Sequence, residues 1–472
     1  MIRRIPGHLV YSEKVHPLNH EPALMGFVEF ILYPVYVALF YFWFSARRNK
    51  IEDPVLKFYH KQGFWIKVVA VLAFTIFNAL ISKGDSLYLY YTEGTNIYHM
   101  ILKDPGTHFK WLYLPGPEFD QTLLRNPFNQ GYFRAENNYM VARVVAIVSF
   151  LSFGKYLITN LFFGMIAFSG VWRLYRFFYE EYPHLHKQLA IAILYLPTFV
   201  FWSSGILKDP LCISALGWIT YAMYEAFYKK KDLLKNTIIL FLFGSLLAIL
   251  KVYILISYVP FFVLYLILKN VNLLRNSLVK WALGLVLITG SIIAGQRVMA
   301  SFQEELGSYA AEGITEQMGK KRNSFRDQEA PGGGDSNFSL GVEFDGSLGS
   351  LLKLAPAAII ATFYRPFIWE SRKVSTLLSS LESMFIMLFT LYVLFRTGPL
   401  KSFNYLRKDP TILYCVLFAL LFGLFVGATT PNFGSLVRYK IPCMPFYLIA
   451  LFLIQDKGRQ QKKNSPRVAE AA

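Results

Sequence analysis

The sequence predicts an all-α polytopic membrane protein with about 11 transmembrane helices, because apolar runs of spanning length recur from end to end. Composition agrees: 54% of the 472 residues are hydrophobic and 17% aromatic, against the roughly 45–50% apolar share of soluble domains. The runs are too long and continuous for barrel strands. The third observation is the placement of charge. The net charge of +18 comes from Lys and Arg gathered in the short gaps between apolar runs, which is the pattern of a membrane protein and not of a nucleic-acid binder.

The predicted spans are 24–45, 64–82, 156–172, 188–202, 210–228, 236–250, 253–269, 279–298, 376–396, 411–428 and 441–455. Residues 1–22 are mostly polar, and the first apolar run starts too late and runs too long for a cleavable signal peptide. Residues 1–63 are expected to form an N-terminal extension with an extra helix, 64–456 the transmembrane core, and 457–472 a basic cytoplasmic tail, disordered over 458–472.

Orientation follows from the short gaps. The set 46–63, 173–187, 229–235, 269–280 and 396–408 holds 19 Lys and Arg, against 4 in the gaps 203–209, 251–252 and 429–440. The first set is therefore expected on the cytoplasmic side, together with the C-terminus. Two long outer loops follow, 83–140 and 299–375. In the second, 350–368 is apolar again and reads as an interfacial or re-entrant helix; the run 141–153, which follows the first loop and precedes Gly154-Lys155, reads similarly. The polar stretch 320–347 is expected to be mobile enough to act as a lid.

The three cysteines, Cys212, Cys415 and Cys443, lie in or beside apolar runs and read as buried small hydrophobes. The histidines form no metal-like grouping. No Gly-rich phosphate loop and no nucleophile elbow occurs, so ATP-driven chemistry on the cytoplasmic side has no support and no cofactor is identified.

Candidate functional residues are the charges at the outer ends of spans, since charge at membrane depth costs at least ~2.5–3.5 kcal/mol on insertion scales. Asp85 follows the run 64–82 and opens the first outer loop. It is either a general base or a helix N-cap. Glu93, Asp104, Glu118 and Asp120 are weaker acids of the same loop. Lys208 and Asp209 share an outer turn before Pro210, where Asp209 suits a cap and Lys208 either a partner for it or a phosphate ligand. Lys251 interrupts the apolar stretch 236–268 at the tip of a helical hairpin, either snorkelling to the interface or meeting a phosphate. Arg365 and Arg438 offer planar forks of donors that suit phosphate oxygens, or anchor the protein at the headgroups.

An Asp after the first span of the core, a long first outer loop, and a late outer Arg in Asn432 to Arg438 before a final helix together resemble the C-superfamily (GT-C fold) of membrane glycosyltransferases. The segments Arg365-Pro366-Phe367-Ile368-Trp369-Glu370 and Ser204-Gly205-Ile206-Leu207-Lys208-Asp209 also resemble pieces of membrane proteins from bacterial surface-polysaccharide assembly. The resemblance implies a bacterial inner-membrane transferase with a periplasmic active face. It implies Asp85 as catalytic base, Arg438 as ligand of a polyprenyl-phosphate sugar donor with Arg365, Lys251 and Lys208 assisting, and a glycan, lipid or protein acceptor. The chain departs from the family in its additional helix 24–45. It also has no second acid beside Asp85, so a divalent metal is unsupported. Two rivals remain open: an O-antigen-type polymerase or ligase, and a transporter or flippase of lipid-linked glycans. The latter would place polar residues and broken helices at mid-membrane depth.

Overall fold

Long apolar runs become helices because lipid leaves no other way to satisfy the backbone. The computed structural model describes residues 26–82, 84–270, 338, 340, 348–371, 374–430 and 432–464. It has helices and no strands among them. The predicted span 279–298 and the proposed lid 320–347 lie outside the described residues, apart from Phe338 and Leu340.

The chain opens with α1 (Phe27–Arg48) and α2 (Pro54–Phe77), the second continued by a π turn over Asn78–Ser82. Asp53 caps α2, accepting from the amides of Val55 and Leu56 at 2.7 and 3.2 Å. In the first loop α3 (Thr92–Lys103) packs on α4 (Glu136–Ser152), and α5 (Tyr156–Glu181) follows. α1 is fastened to this group. The Tyr33 hydroxyl donates to the Val68 carbonyl at 2.7 Å, and buried Glu29 accepts from the Leu157 amide at 2.9 Å.

The expected span 188–202 is instead broken: Leu196 is extended, and α6 (Pro197–Trp202) is a separate short helix. α7 (Lys208–Met223) crosses α5 at very close range. A Cβ on Gly217 would stand 1.9 Å from the Gly170 carbonyl oxygen, and one on Gly170 2.2 Å from that of Ser214. Small residues at such a crossing let two membrane helices touch backbone to backbone.

α8 (Leu233–Lys269) is helical except at Lys251, whose φ of −155° and ψ of 73° break it. Its neighbours show that the chain reverses there. Asn236 lies beside Arg173 and Tyr221, Phe243 stacks on Trp218, and Lys251 reaches Asp209 at the start of α7. The second leg then returns: Tyr258 meets Thr220, and Lys269 pairs with Glu181 at the end of α5. The expected hairpin with Lys251 at its tip is therefore present. Each leg is about 27 Å long at 1.5 Å per residue.

Next come α9 (Leu348–Tyr364), α10 (Val374–Thr397), the short α11 (Pro399–Lys408) and α12 (Pro410–Thr429). α13 (Phe433–Tyr439) and α14 (Met444–Asn464) end the described chain as a pair bent by 64°. The tail expected to be disordered from 458 is helical through Asn464, where it continues α14 and is tied down by the Tyr405 hydroxyl on Gln461 at 2.6 Å.

Six of these helices are long and apolar enough to cross a membrane, or up to seven with the bent pair. That describes an all-α membrane protein, and it falls short of the expected count of about 11. The shortfall arises at 188–202, which is broken; at α7, which is only 16 residues long; at the two hairpin legs, which count once within Leu233–Lys269; and at 279–298, which is not described. The ion pairs mark two opposite ends. One carries Asp85, Asp209, Lys251 and Arg438. The other carries Glu180, Glu181, Lys229, Lys269 and Asp409.

Candidate functional site: a four-charge chain at the mouth of a cavity

Asp85 stands where the π turn after α2 gives way to the helical turns of the first loop. It occupies the N-cap position of Ser86–Tyr91, yet its side chain caps nothing. Its carboxylate turns to Arg438, 353 residues away, with Oδ2 3.4 Å from Nη1. The cap reading of Asp85 therefore fails on geometry.

Arg438 is presented by α13, whose first turn is capped by the Asn432 side chain on the amides of Gly434 and Ser435. Its Nε donates to Asp209 Oδ2 at 2.5 Å, and the other oxygen of Asp209 takes Lys251 Nζ at 2.9 Å. Asp209 is 1% exposed. It is neither a cap nor a peripheral acid but the centre of an alternating chain, Asp85–Arg438–Asp209–Lys251. Two carboxylates balance two cations, as buried charges require. Lys251 does not snorkel. It is buried, paired and set 4.6 Å from the Tyr439 ring centre. Lys208 is also buried, in the first turn of α7.

The outer link of this chain borders a cavity of about 480 Å³, within the size range of small-molecule sites. Asn78, Asp85 and Arg438 give it a polar wall; Phe77, Ile81 and Trp202 give it an apolar one. Ile81 is 71% exposed at the end of an apolar helix of spanning length. Tyr132, which was not singled out from sequence, sits close enough to feel the charge of Asp85. Burial first, and that carboxylate second, push its phenol up to about 12. It stays a hydrogen-bond donor at neutral pH.

Other candidates lie elsewhere. Arg365 is held by Glu370, with Nε 3.1 Å from Oε2, and its guanidinium lies 4.3 Å from the Phe338 ring centre and 5.2 Å from that of Phe433. It supports the cavity wall from behind. Glu93 is buried and accepts from the backbone amides of Arg125 and Asn126 at 2.9 Å each and from Asn129 Nδ2 at 2.8 Å, so it fixes the first loop. Asp104 caps Pro105–His108 through the Thr107 amide at 3.3 Å. No group of His, Cys, Asp and Glu fit for a metal occurs among the described residues.

Sequence reasoning also missed two buried charges around α6. Glu382, two turns inside α10, accepts from the Thr198 amide at 2.8 Å and its hydroxyl at 2.5 Å. Lys67, near the middle of Pro54–Ser82, donates to the carbonyls of Val200 and Ser203 at 3.2 and 3.3 Å. A carboxylate thus holds the N-terminus of this short helix and an ammonium its C-terminus, each on the side its dipole favours. Both residues interrupt apolar runs, and that interruption was the available signal. Lys67, at mid-span, lies away from the outer helix ends where the sequence placed the candidate charges.

Family models, curated proteins and solved structures were all compared with the chain, and none matched.

Proposed function

We propose that the protein is a membrane transferase that moves a sugar from a polyprenyl-phosphate donor to an acceptor hydroxyl at the Asp85 end. The observation that carries this reading is the convergence of Asp85 and Arg438 at 3.4 Å on the wall of a cavity with a polar and an apolar side. The donor phosphate binds Arg438 on its Asp85 side, since the Nε side is committed to Asp209. Asp85, 53% exposed and weakly paired, is displaced from the guanidinium as the phosphate binds and turns to the acceptor. It takes the proton of the acceptor hydroxyl. The acceptor oxygen bonds to the anomeric carbon, the carbon–oxygen bond to phosphate breaks, and the lipid phosphate leaves with the electron pair. The guanidinium stabilises that leaving charge. A single displacement inverts the anomeric centre. The bacterial inner membrane and its periplasmic face are the setting this chemistry suits.

The test uses cells that lack the protein, complemented with wild type or Asp85→Asn, and profiles their surface glycan. Loss of one glycan in the variant is expected. Unchanged glycan with normally inserted protein overturns the base assignment. Arg438→Lys tests the fork: full activity there rules out bidentate phosphate binding.

A transporter of lipid-linked glycans is the second reading. It is favoured by two short helix pieces, α6 and α13, that touch each other beside the cavity. The two readings separate in detergent solution, where a transferase still turns over and a transporter has no two sides to connect.

A further inference from the structure

At the end opposite Asp85, α11 joins two spanning helices, α10 ending at Thr397 and α12 beginning at Pro410. α11 turns one side inward, with Ser402 buried and Tyr405 and Leu406 half-buried. Its outer side is apolar and basic at once: Leu400 is 85% and Phe403 59% exposed, while Lys401, Arg407 and Lys408 are exposed too. No carboxylate occurs in α11; its neighbour Asp409 is buried and already holds Lys457 at 2.9 Å. Arg459 adds charge from α14, which is fixed to α11 by the Tyr405–Gln461 hydrogen bond.

We infer that α11 is a docking surface for anionic phospholipid headgroups. Its place between two span ends sets it at the depth where headgroups meet water. Leu400 and Phe403 then enter the acyl boundary while Lys401, Arg407 and Lys408 meet lipid phosphates, which is the division of labour of an interfacial basic helix. A soluble acidic protein would match the charge but would leave Leu400 and Phe403 without an apolar phase. The surface is far from the cavity, so the inference stands whether or not the chain is a transferase.

The test is native mass spectrometry of the full chain in detergent, titrated with short-chain phosphatidylglycerol or phosphatidylcholine. Wild type should retain phosphatidylglycerol about tenfold better, a modest yield for three cations near an anionic surface. The triple variant K401Q/R407Q/K408Q alters only exposed side chains and should lose the preference while melting as wild type does. Leu400→Ser with Phe403→Ser should weaken retention of both lipids. Equal retention of the two lipids by wild type, or an undiminished preference in the triple variant, overturns the inference.

Discussion

Asp85→Asn and Asp209→Asn alter two carboxylates that share one arginine, yet the structure assigns them opposite consequences. Asp209 is 1% exposed and is held at 2.5 and 2.9 Å by two cations that are themselves buried or nearly so. Removing one partner of a buried pair costs about 3–5 kcal/mol, and here two cations lose the same carboxylate in one change, Arg438 keeping its 3.4 Å contact to Asp85. Asp85 is 53% exposed and 3.4 Å from its partner, so its loss should cost no more than about 1 kcal/mol. Activity should rank the other way. Loss of a positioned general base typically lowers the rate ~10²–10⁴-fold. The assay pairs thermal melting in one detergent with turnover measured on the same preparation. Asp85→Asn should melt close to wild type and turn over poorly, while Asp209→Asn should melt far lower. Equal destabilisation by the two variants would refute the electrostatic reasoning, and wild-type turnover in Asp85→Asn would refute the chemical one.

Three further outcomes follow from packing and burial. Gly217→Ala forces a methyl into the Gly170 carbonyl and should destabilise by about 1–3 kcal/mol, read as a lower melting temperature; an unchanged melt would mean α5 and α7 do not touch there. Glu382→Ala leaves the buried Thr198 amide and hydroxyl without their acceptor and should cost about 1–3 kcal/mol for each such group, visible as proteolysis near Pro197. Burial raises the Glu93 carboxyl above its ordinary 4.5, against the hydrogen bonds it accepts. A group that holds its proton more tightly when folded contributes stability below that ordinary value and loses it as pH rises through the folded one. Melting temperature should therefore fall with pH above 4.5 more steeply in wild type than in Glu93→Gln, and parallel curves would dismiss the effect.

The long helices were legible because their signal is local. The runs beginning near 24, 64, 156, 376 and 411 each became a helix, since lipid solvation is read residue by residue along the chain; the helices begun at Pro54 and ended at Glu181 outrun the expected 64 and 172 because helix continues past the apolar stretch into the basic loops. The hairpin tip was legible as well. An apolar stretch too long for a single crossing must turn somewhere, and its lone Lys marks the point where the turn leaves the hydrocarbon. Asp85 and Arg438 could be placed at one end from the basic loops at the other. The role of Asp209 could not be read. Its partners lie 42 and 229 residues downstream, and next to Pro210 it looks like an ordinary cap. Lys67 and Glu382 were hidden for the same reason. Each serves a six-residue helix encoded 133 and 184 residues away, and only the break at Leu196 creates the need they meet. The helical end of the tail was missed because its composition is polar. It stays helical by inheritance from the apolar part of α14 and from one contact to Tyr405.

The chain Asp85–Arg438–Asp209–Lys251 also sets a timetable for synthesis. The Asp209 carboxylate emerges before the hairpin that carries Lys251, and long before Arg438. A nascent protein that has inserted only through α7 holds an acid at the membrane edge with neither of its cations yet made. Completing the hairpin supplies the first, and only the bent C-terminal pair supplies the second. A chain stopped short of Arg438 keeps half a counter-charge, so truncated products should be recognised and cleared faster than the finished protein, with Asp209→Asn slowing that clearance.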